Sequence, residues 1–309
     1  MSDKKIISLL PAATEIVCAL GLENQLLGRS HECNYPESIS SLPVCSSARF
    51  LSGASSEEID KQVKETLAEA LSIYSVDKEV VRNLNPDVVI TQAQCEACAV
   101  SLKDVEEALE DLLEKDAEVI SLKPETLQDI LNEILEIAKK LGVPERGVAL
   151  VEELQERIDL IHHKLKFVEN RPKVACIEWL NPLMIAGNWT PQLIEIAGGT
   201  PVLGLAGKHS PRVKPEDLLV ANPDIIVVAA CGFSIERTLQ EINLLLELPG
   251  WNEMAAVKNN QVYIADGNQY FNRPGPRIVD TIEMLAEIIQ PKQFVFGYEG
   301  SGWLKFSTQ

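Results

Sequence analysis

The chain has 309 residues, of which 46 are acidic and 28 are Lys or Arg, so its formal net charge is −18. This charge argues against a nucleic-acid-binding protein, because phosphate contacts need a basic face. It also argues against docking on an anionic membrane. A chain of this length buries enough surface to fold without a disulfide or a structural metal. No apolar run approaches the ~20 residues of a membrane span, so we expect no membrane insertion.

The cysteines and the N-terminus together predict a cytoplasmic protein. Seven cysteines at irregular spacing do not form the framework typical of secreted proteins. The apolar segment 6–10 is followed at once by Pro11, Thr14 and Glu15, without a clear cleavage site, which is not typical of a signal peptide. A true start upstream of Met1 would instead make the protein periplasmic.

The first half of the chain alternates short apolar runs with helical patterns, as expected for strands and helices. We predict strands at 6–10, 26–28, 88–90 and 118–122, and helices at 11–21 and 126–141. A further helix follows the capping box at Ser101 and Asp104. Between these elements lies a helical insert at about 55–82, in which Ser55 to Glu58 form a capping box and Asp77 caps a second short helix.

The second half repeats this organisation. A charged helix is predicted at 144–170, followed by a strand at 174–178, a helix at 191–197 and a strand at 225–228. The sequence Asn-Pro-Asp precedes a β-branched run twice, at 85–87 and at 222–224. This internal repeat predicts two similar α/β lobes, and helices between strands favour parallel sheets. The predicted divisions are an N-terminal lobe (1–142), a bridging helix (143–170), a C-terminal lobe (171–290) and a tail that packs on the body (291–309).

Ligands of open parallel sheets bind beyond the carboxyl ends of the strands, so the residues after each strand are the candidate ligand contacts. Many of these residues are aromatic, and two lobes that face each other would enclose an aromatic cleft between them. Such a cleft suits a flat, sizeable small molecule. The candidate ligand-binding residues are His31, Glu32, Cys33, Tyr35, Gln94, Cys95, Glu178, Trp179, Trp189, Cys231, Phe233, Tyr270, Phe271 and Arg273.

The cysteines leave three interpretations open. Cys95 and Cys98 form a C-x-x-C pair after a strand, as a redox dithiol does. With His31 and Cys33 they would instead form a tetrahedral zinc site. The third interpretation is that they are inert, buried thiols. The P-loop, dinucleotide, nucleophile-elbow and H-E-x-x-H motifs are absent from the sequence, so we expect no enzyme and no required cofactor.

Several motifs, taken in order, resemble the vitamin B12 and iron-siderophore periplasmic binding proteins, the class III substrate-binding fold. They lie at 7–15, 28–36, 85–90, 193–199, 222–227 and 271–277, and the cobalamin-binding branch is the most similar. The resemblance implies two α/β lobes, each Rossmann-like, joined by one long rigid helix, with the ligand held in the cleft between them. It implies that Tyr35, Trp179 and Phe271 line a corrinoid pocket. It further implies that Glu96 and Glu195 dock on arginines of an ABC permease.

The sequence therefore predicts a monomeric, non-enzymatic binding protein for cobalamin or a related metal chelate. It differs from the family pattern in its insert at 55–82, its cysteines near the cleft and its lack of an export signal. Three other hypotheses remain. The first is a soft-metal protein that binds zinc through His31, Cys33, Cys95 and Cys98, and the second is a cytosolic thiol enzyme that uses Cys95 and Cys98. The third is a transport protein whose true start lies upstream.

Overall fold

The computed structural model describes residues 3–68, 73–92 and 117–307. The chain divides into two compact units. The first unit contains Met1–Ala54, Glu58–Pro124 and Gln128–Glu153, and the second contains Ser55–Glu57, Glu125–Leu127 and Leu154–Gln309. The predicted helix that follows Ser101 and Asp104 lies outside the described residues. The domain limits predicted from the sequence stay a prediction.

The first unit is built around a four-stranded sheet. The strands described here are β1 (Ile6–Ser8), β2 (Leu26–Arg29), β3 (Ser46–Ala48), β4 (Tyr74–Val76), β5 (Val88–Gln92) and β6 (Glu118–Leu122). The sheet has the order β2-β1-β5-β6, and all of its neighbouring strands are parallel. The helices are α1 (Pro11–Ala19), α2 (Ser56–Ala68), α3 (Lys78–Leu84), α4 (Leu127–Lys140) and α5 (Pro144–Leu165), of which α2, α4 and α5 also have residues in the second unit.

The second unit contains a six-stranded mixed sheet. Its strands are β7 (Lys173–Trp179), β8 (Met184–Ile185), β9 (Thr200–Pro201), β10 (Ile225–Val228), β11 (Val262–Ala265) and β12 (Trp303–Phe306). They run in the order β12-β11-β10-β7-β8, with β9 also paired to β7. The helices are α6 (Thr190–Ile196), α7 (Pro215–Ala221), α8 (Ile235–Leu239), α9 (Asn243–Leu246), α10 (Ala255–Lys258) and α11 (Ile278–Ile289).

The predicted α/β class is confirmed, and the strand directions refine it. The pairs β7-β10 and β10-β11 are parallel, as the alternation of strands and helices predicts. The edge strands β8 and β12 are antiparallel to their neighbours, which the sequence analysis does not anticipate. The insert is also not purely helical, because β4 lies within it and pairs with β3.

The central strands form the core of each unit because both of their faces are covered. Val88, Ile90, Ile226 and Val228 are almost fully buried. Continuous β-branched runs of this kind are typical of parallel strands packed on both sides. In the second unit, Trp251 joins the same buried cluster as β7, β10 and β11.

The Asn-Pro-Asp repeat has the same structural role in both units. Asn85 ends α3 and Asn222 ends α7, each in the left-handed conformation with φ of 46° and 44°. The carboxylate of Asp87 accepts the backbone N–H of Lys5, and that of Asp224 accepts the N–H of Lys173, both at 2.8 Å. The motif therefore ends a helix and links the start of one strand to the start of its neighbour by a hydrogen bond. This link lies at the amino ends of the strands, whereas the candidate ligand contacts follow their carboxyl ends.

The C-terminal segment is part of the second sheet. Its strand β12 pairs with β11. The buried carboxylate of Glu287 accepts the N–H of Gly297 at 2.5 Å and the indole N–H of Trp303 at 2.9 Å. Glu283, also buried on α11, accepts the hydroxyl of Tyr298 at 2.9 Å. The aromatic residues of this segment thus complete the second unit.

Replacing Asn85 separates the effect of its backbone conformation from that of its side chain. We expect Asn85→Ala to lower the free energy of unfolding by about 1 kcal/mol, because alanine lacks the short polar side chain that lets asparagine adopt the left-handed conformation. Asn85→Gly should lower it less, since glycine adopts this conformation without strain. Urea denaturation of the two variants beside the parent chain measures the difference. Equal destabilisation by alanine and glycine would contradict the assignment.

Candidate functional site

The loop after β2 carries the first group of predicted ligand contacts, and Arg29 holds its shape. The guanidinium Nη1 of Arg29 donates to the carbonyls of Ser30 at 3.2 Å and of Cys33 at 3.1 Å. Its Nη2 donates to the carbonyl of Ser40 at 3.0 Å. Because three carbonyls are bound by one rigid side chain, the loop has a defined conformation.

His31 and Glu32 in this loop contact β3 and β4. The His31 Nδ1 lies 3.0 Å from the Ser46 Oγ. The Glu32 carboxylate accepts the Tyr74 hydroxyl at 3.0 Å. The rings of His31 and Tyr74 lie 5.3 Å apart between centroids, and Phe50 packs edge-on against Tyr74 at 5.9 Å. The first unit thus presents an imidazole, a carboxylate and two aromatic rings together. Tyr74 was not predicted as a site residue, because β4 was not predicted.

The environment of His31 favours the neutral imidazole. Burial lowers the pKa of His31 below its usual value of 6.5. The nearby guanidinium of Arg29 also lowers this pKa, while the Glu32 carboxylate raises it. A neutral imidazole keeps a nitrogen lone pair available for hydrogen bonding or for a metal.

Cys33 belongs to a buried chain of hydroxyl groups. Its Sγ lies 3.0 Å from the Thr14 Oγ1. The Thr14 hydroxyl donates to the Ser8 Oγ at 2.8 Å, and the Ser8 hydroxyl donates to the carbonyl of Leu10 at 2.9 Å. Either the Cys33 thiol or the Thr14 hydroxyl can be the donor in this contact.

The remaining predictions for the first unit concern Tyr35 and the loop after β5. Tyr35 is 45% exposed, so its ring is available to a ligand. Gln94, Cys95, Glu96 and Cys98 lie outside the described residues. Within ranges 3–68, 73–92 and 117–307, no group of three His, Cys, Asp or Glu residues could hold a metal ion. The four-residue zinc set stays a prediction, because two of its members are not described.

In the second unit, the end of β7 and the loop after β10 bring Trp179 and Phe233 together. Their rings lie 5.2 Å apart between centroids. The guanidinium of Arg237 lies over the Phe233 ring at 4.3 Å and pairs with the carboxylate of Glu241. The indole N–H of Trp179 donates to the carbonyls of Ser56 at 3.2 Å and Asn181 at 3.1 Å. Arg237 and Glu241 were not among the predicted site residues.

Glu178 holds the neighbouring loops in place. Its carboxylate accepts the Ser210 hydroxyl at 2.9 Å, and its carbonyl accepts the N–H of Cys231 at 2.9 Å. The Ser210 Oγ in turn accepts the N–H of Gly187 at 3.0 Å. Cys231 is exposed at this edge of the sheet. Glu178 therefore positions the backbone beside a thiol that solvent reaches.

The loop after β11 is fixed by side-chain bonds to the backbone. Asp266 accepts the N–H groups of Asn268 at 2.9 Å and Gln269 at 2.7 Å. Burial raises the pKa of Asp266, and these two backbone bonds oppose that effect. Asn272 donates to the carbonyl of Ala229 at 3.3 Å, which links this loop to the end of β10. Neither Asp266 nor Asn272 was predicted as a ligand-binding residue.

Gly267 explains how closely this loop approaches β10. A Cβ at this position would lie 2.1 Å from the carbonyl oxygen of Ala230, a distance that no side chain tolerates. Arg273 follows in the same loop. It is only 5% exposed, and its guanidinium donates to the Asn268 side chain at 3.0 Å. Arg273, predicted as a ligand contact, thus makes a structural bond within the loop.

Several predicted ligand contacts of the second unit offer little surface. Phe271 is 1% exposed and Trp189 is 6% exposed. The Trp189 indole N–H donates to the carbonyl of Phe271 at 3.0 Å, and this hydrogen bond fixes the two residues relative to each other. Tyr270 is half-buried, with the Arg277 guanidinium over its ring at 5.1 Å. These residues pack the loop interior, and stacking of a ligand on Phe271 stays a prediction.

Glu195 lies apart from these loops, on the exposed face of α6. Its carbonyl accepts a bond from the Arg171 guanidinium at 3.2 Å. Its carboxylate is exposed on the surface, which is compatible with a docking role. Separately, no helix among the described residues has both the length and the apolar character needed to cross a membrane.

The fold and the strand-end loops define a solute-binding protein built from two α/β units. The family described as "Periplasmic binding protein" matches residues 6–268, and the chain belongs to this family. A Bacillus subtilis protein named as an uncharacterized ABC transporter substrate-binding lipoprotein, YvrC, is 26% identical over 298 residues, covering 94% of this chain and 81% of the relative.

Two further relatives carry names that specify a ligand. The vitamin B12-binding protein of Vibrio parahaemolyticus is 23% identical over 287 residues, with 92% of this chain and 88% of the relative covered. The crystal structure of a periplasmic heme binding protein from Pseudomonas aeruginosa superposes with a TM-score of 0.73 at 19% identity, covering 99% of each chain. This structural likeness confirms the fold.

The lowered pKa of His31 predicts a pH-dependent contribution to stability. The unfolded chain binds a proton at His31 below about pH 6.5, whereas the folded chain does so only at lower pH. The free energy of unfolding should therefore fall as the pH drops through and below about 6.5, and His31→Gln should reduce this fall. Urea denaturation of both chains at about pH 7.5 and about pH 5 tests the prediction. An identical loss in the two chains would contradict it.

Proposed function

We propose that this chain is the substrate-binding protein of an ABC transporter and that its ligand is cobalamin or a closely related corrinoid. The chain binds and releases the ligand without chemical change. The family assignment supports the transport role, and the Vibrio relative named for vitamin B12 supports the ligand. The heme named for the Pseudomonas structure is also a metal bound in a large macrocycle, which supports the same general class of ligand.

One observation carries the proposal: each unit ends its parallel strands in loops that group aromatic rings with polar side chains. In the first unit the loop after β2 places His31 against the Tyr74 ring of β4, and the same loop carries the exposed Tyr35. In the second unit Trp179 packs against Phe233. Flat aromatic surfaces with a few polar groups suit the faces and edges of a corrin ring.

The two cysteine-based alternatives receive no comparable support. The zinc alternative needs Cys95 and Cys98 beside His31 and Cys33, and the thiol enzyme needs Cys95 and Cys98; these two cysteines are not among the described residues. The corrinoid proposal is supported by the aromatic contacts of described residues and by the relative named for vitamin B12.

The proposal includes a partner and a location. Glu195 is the docking residue that we propose for the second unit, because its side chain is exposed on α6. Glu96 is its proposed counterpart in the first unit. The relatives are named as a lipoprotein and as periplasmic proteins, which favours the periplasmic alternative over the cytoplasmic one. We propose that the chain acts as a monomer.

Tyr35 gives a direct test, and Phe167 is its matched control. Both rings are exposed, at 45% and 86%, but Phe167 follows the end of α5, away from the strand-end loops. We expect Tyr35→Ala to weaken cobalamin binding about tenfold, because a stacking surface is lost. Phe167→Ala should bind as the parent chain does. Quenching of tryptophan fluorescence during a cobalamin titration measures each dissociation constant.

Equal affinity of Tyr35→Ala and the parent chain would contradict the assignment of Tyr35. Absence of cobalamin binding by the parent chain would contradict the proposed ligand. Repeating the titration with heme and with a ferric siderophore then identifies which class of chelate the chain prefers.

A further inference from the structure

A pocket with a basic lining lies within the second unit, where the end of α5 meets α6. Its volume is about 360 Å³. The end of α5 and the segment after it form one wall, and α6 forms the other. The polar residues of the lining are His162, Lys166, Arg171, Gln192 and Glu195. Cationic side chains therefore outnumber the carboxylate in this pocket.

The charge of this part of the chain is opposite to that of the whole protein. The range 162–173 contains four Lys or Arg residues, two histidines and one acidic residue, whereas the whole chain has 46 acidic and 28 basic residues. Cations in the last turn of a helix stabilise its C-terminus, which explains the basic residues of α5 itself. This effect does not explain Arg171, which lies beyond the helix, or Gln192, which belongs to α6.

Hydrogen bonds fix the segment that carries Arg171. The buried side chain of Gln290 donates to the carbonyls of Asn170 at 2.9 Å and Gly198 at 3.1 Å. The guanidinium Nη1 of Arg171 donates to the backbone carbonyl of Glu195 at 3.2 Å. This bond uses one of the five N–H donors of the guanidinium. The two walls of the pocket are therefore joined before any ligand binds, which lowers the cost of ordering them.

The lining still has hydrogen-bond donors to offer. The Gln192 Oε1 accepts the N–H of Leu127 at 3.1 Å, so the NH₂ group is the part of this amide that can donate to a ligand. In the part of the chain that the structure describes, neither Lys166 nor Arg171 forms an ion pair. The Lys166 ammonium lies 5.7 Å from the centroid of the Phe167 ring, which does not neutralise its charge. A guanidinium, an ammonium and an amide thus line one pocket.

We propose that this pocket binds a phosphate group. A phosphate has several acceptor oxygens, and guanidinium and ammonium groups form strong, charge-assisted hydrogen bonds with them. The phosphate is supplied either by the free inorganic ion or by a lipid headgroup. The Glu195 carboxylate repels an anion in the same pocket, so its removal reports where the phosphate lies. This site is independent of the chelate ligand proposed above.

A calorimetric titration of the full chain with inorganic phosphate tests the site. Low ionic strength is used, because salt screens exposed charges. We expect one phosphate per chain with a dissociation constant of about 1 mM or below. The double variant Lys166→Gln and Arg171→Gln should weaken binding about tenfold or more, because two charge-assisted bonds are lost. The double variant Lys258→Gln and Lys305→Gln removes the same charge from exposed positions outside the pocket, so it is the matched control and should bind as the parent chain does.

A further variant should change the affinity in the opposite direction. We expect Glu195→Gln to bind phosphate about threefold more tightly, because a like charge beside the anion is removed. Glu216→Gln makes the same change of net charge at an exposed position of α7 outside the pocket. It should leave the affinity close to that of the parent chain.

Three results would overturn the site. The first is no heat of binding up to about 20 mM phosphate, which excludes a dissociation constant near about 1 mM. The second is an equal loss of affinity in the two lysine-containing double variants, since this would show a general effect of net charge. The third is an unchanged affinity in Glu195→Gln.

Sedimentation with lipid vesicles distinguishes the two sources of phosphate. Phe167 is 86% exposed beside Lys166, so its ring would enter the surface of a bilayer if the pocket received a headgroup. In that case the chain sediments with phosphatidylglycerol vesicles and not with phosphatidylcholine vesicles, and Phe167→Ala abolishes sedimentation. If the source is the free ion, the chain remains in solution with both vesicles, and Phe167→Ala keeps the phosphate affinity of the parent chain.

Discussion

Parallel strand pairing is the constraint on which the candidate site depends. A parallel neighbour requires the chain to return to the same end of the sheet, so the loops after β7, β10 and β11 meet at one edge. These loops form hydrogen bonds with one another. The Gly232 N–H donates to the Gly267 carbonyl at 3.3 Å, and the Asn272 side-chain amide donates to the Ala229 carbonyl. The backbone of this edge is therefore fixed before any ligand arrives, which lowers the cost of ordering it on binding.

The central elements of the fold could be predicted because their signals are local. The β-branched runs at β5 and β10 and the Asn-Pro-Asp motif before each run are read directly from the sequence, whereas the left-handed conformation of Asn85 and Asn222 was not predicted. The edge strands could not be predicted in the same way. Both β8 and β9 have two residues, and β12 follows a long irregular segment, so neither periodicity nor length distinguishes them.

The sequence predicted where the site residues lie in the fold better than it predicted what each of these residues does. The rule that ligands bind beyond carboxyl strand ends selected His31, Trp179 and Phe233, and the structure groups aromatic rings around each. The rule did not predict that Phe271 is buried, because its burial depends on residues far away in the sequence. One of them is Trp189, whose indole N–H donates to the Phe271 carbonyl. Tyr74 was missed because it reaches the site from β4, which pairs with β3 and does not extend the main sheet.

The central claim is that this chain holds one metal chelate, with cobalamin as the specific ligand. The most direct measurement is gel filtration of the protein mixed with excess cobalamin, followed by visible absorbance of the protein peak. The account predicts a coloured peak that contains one cobalamin per chain and remains coloured after buffer exchange. A colourless peak with cobalamin, and likewise with heme and a ferric siderophore, would contradict the account.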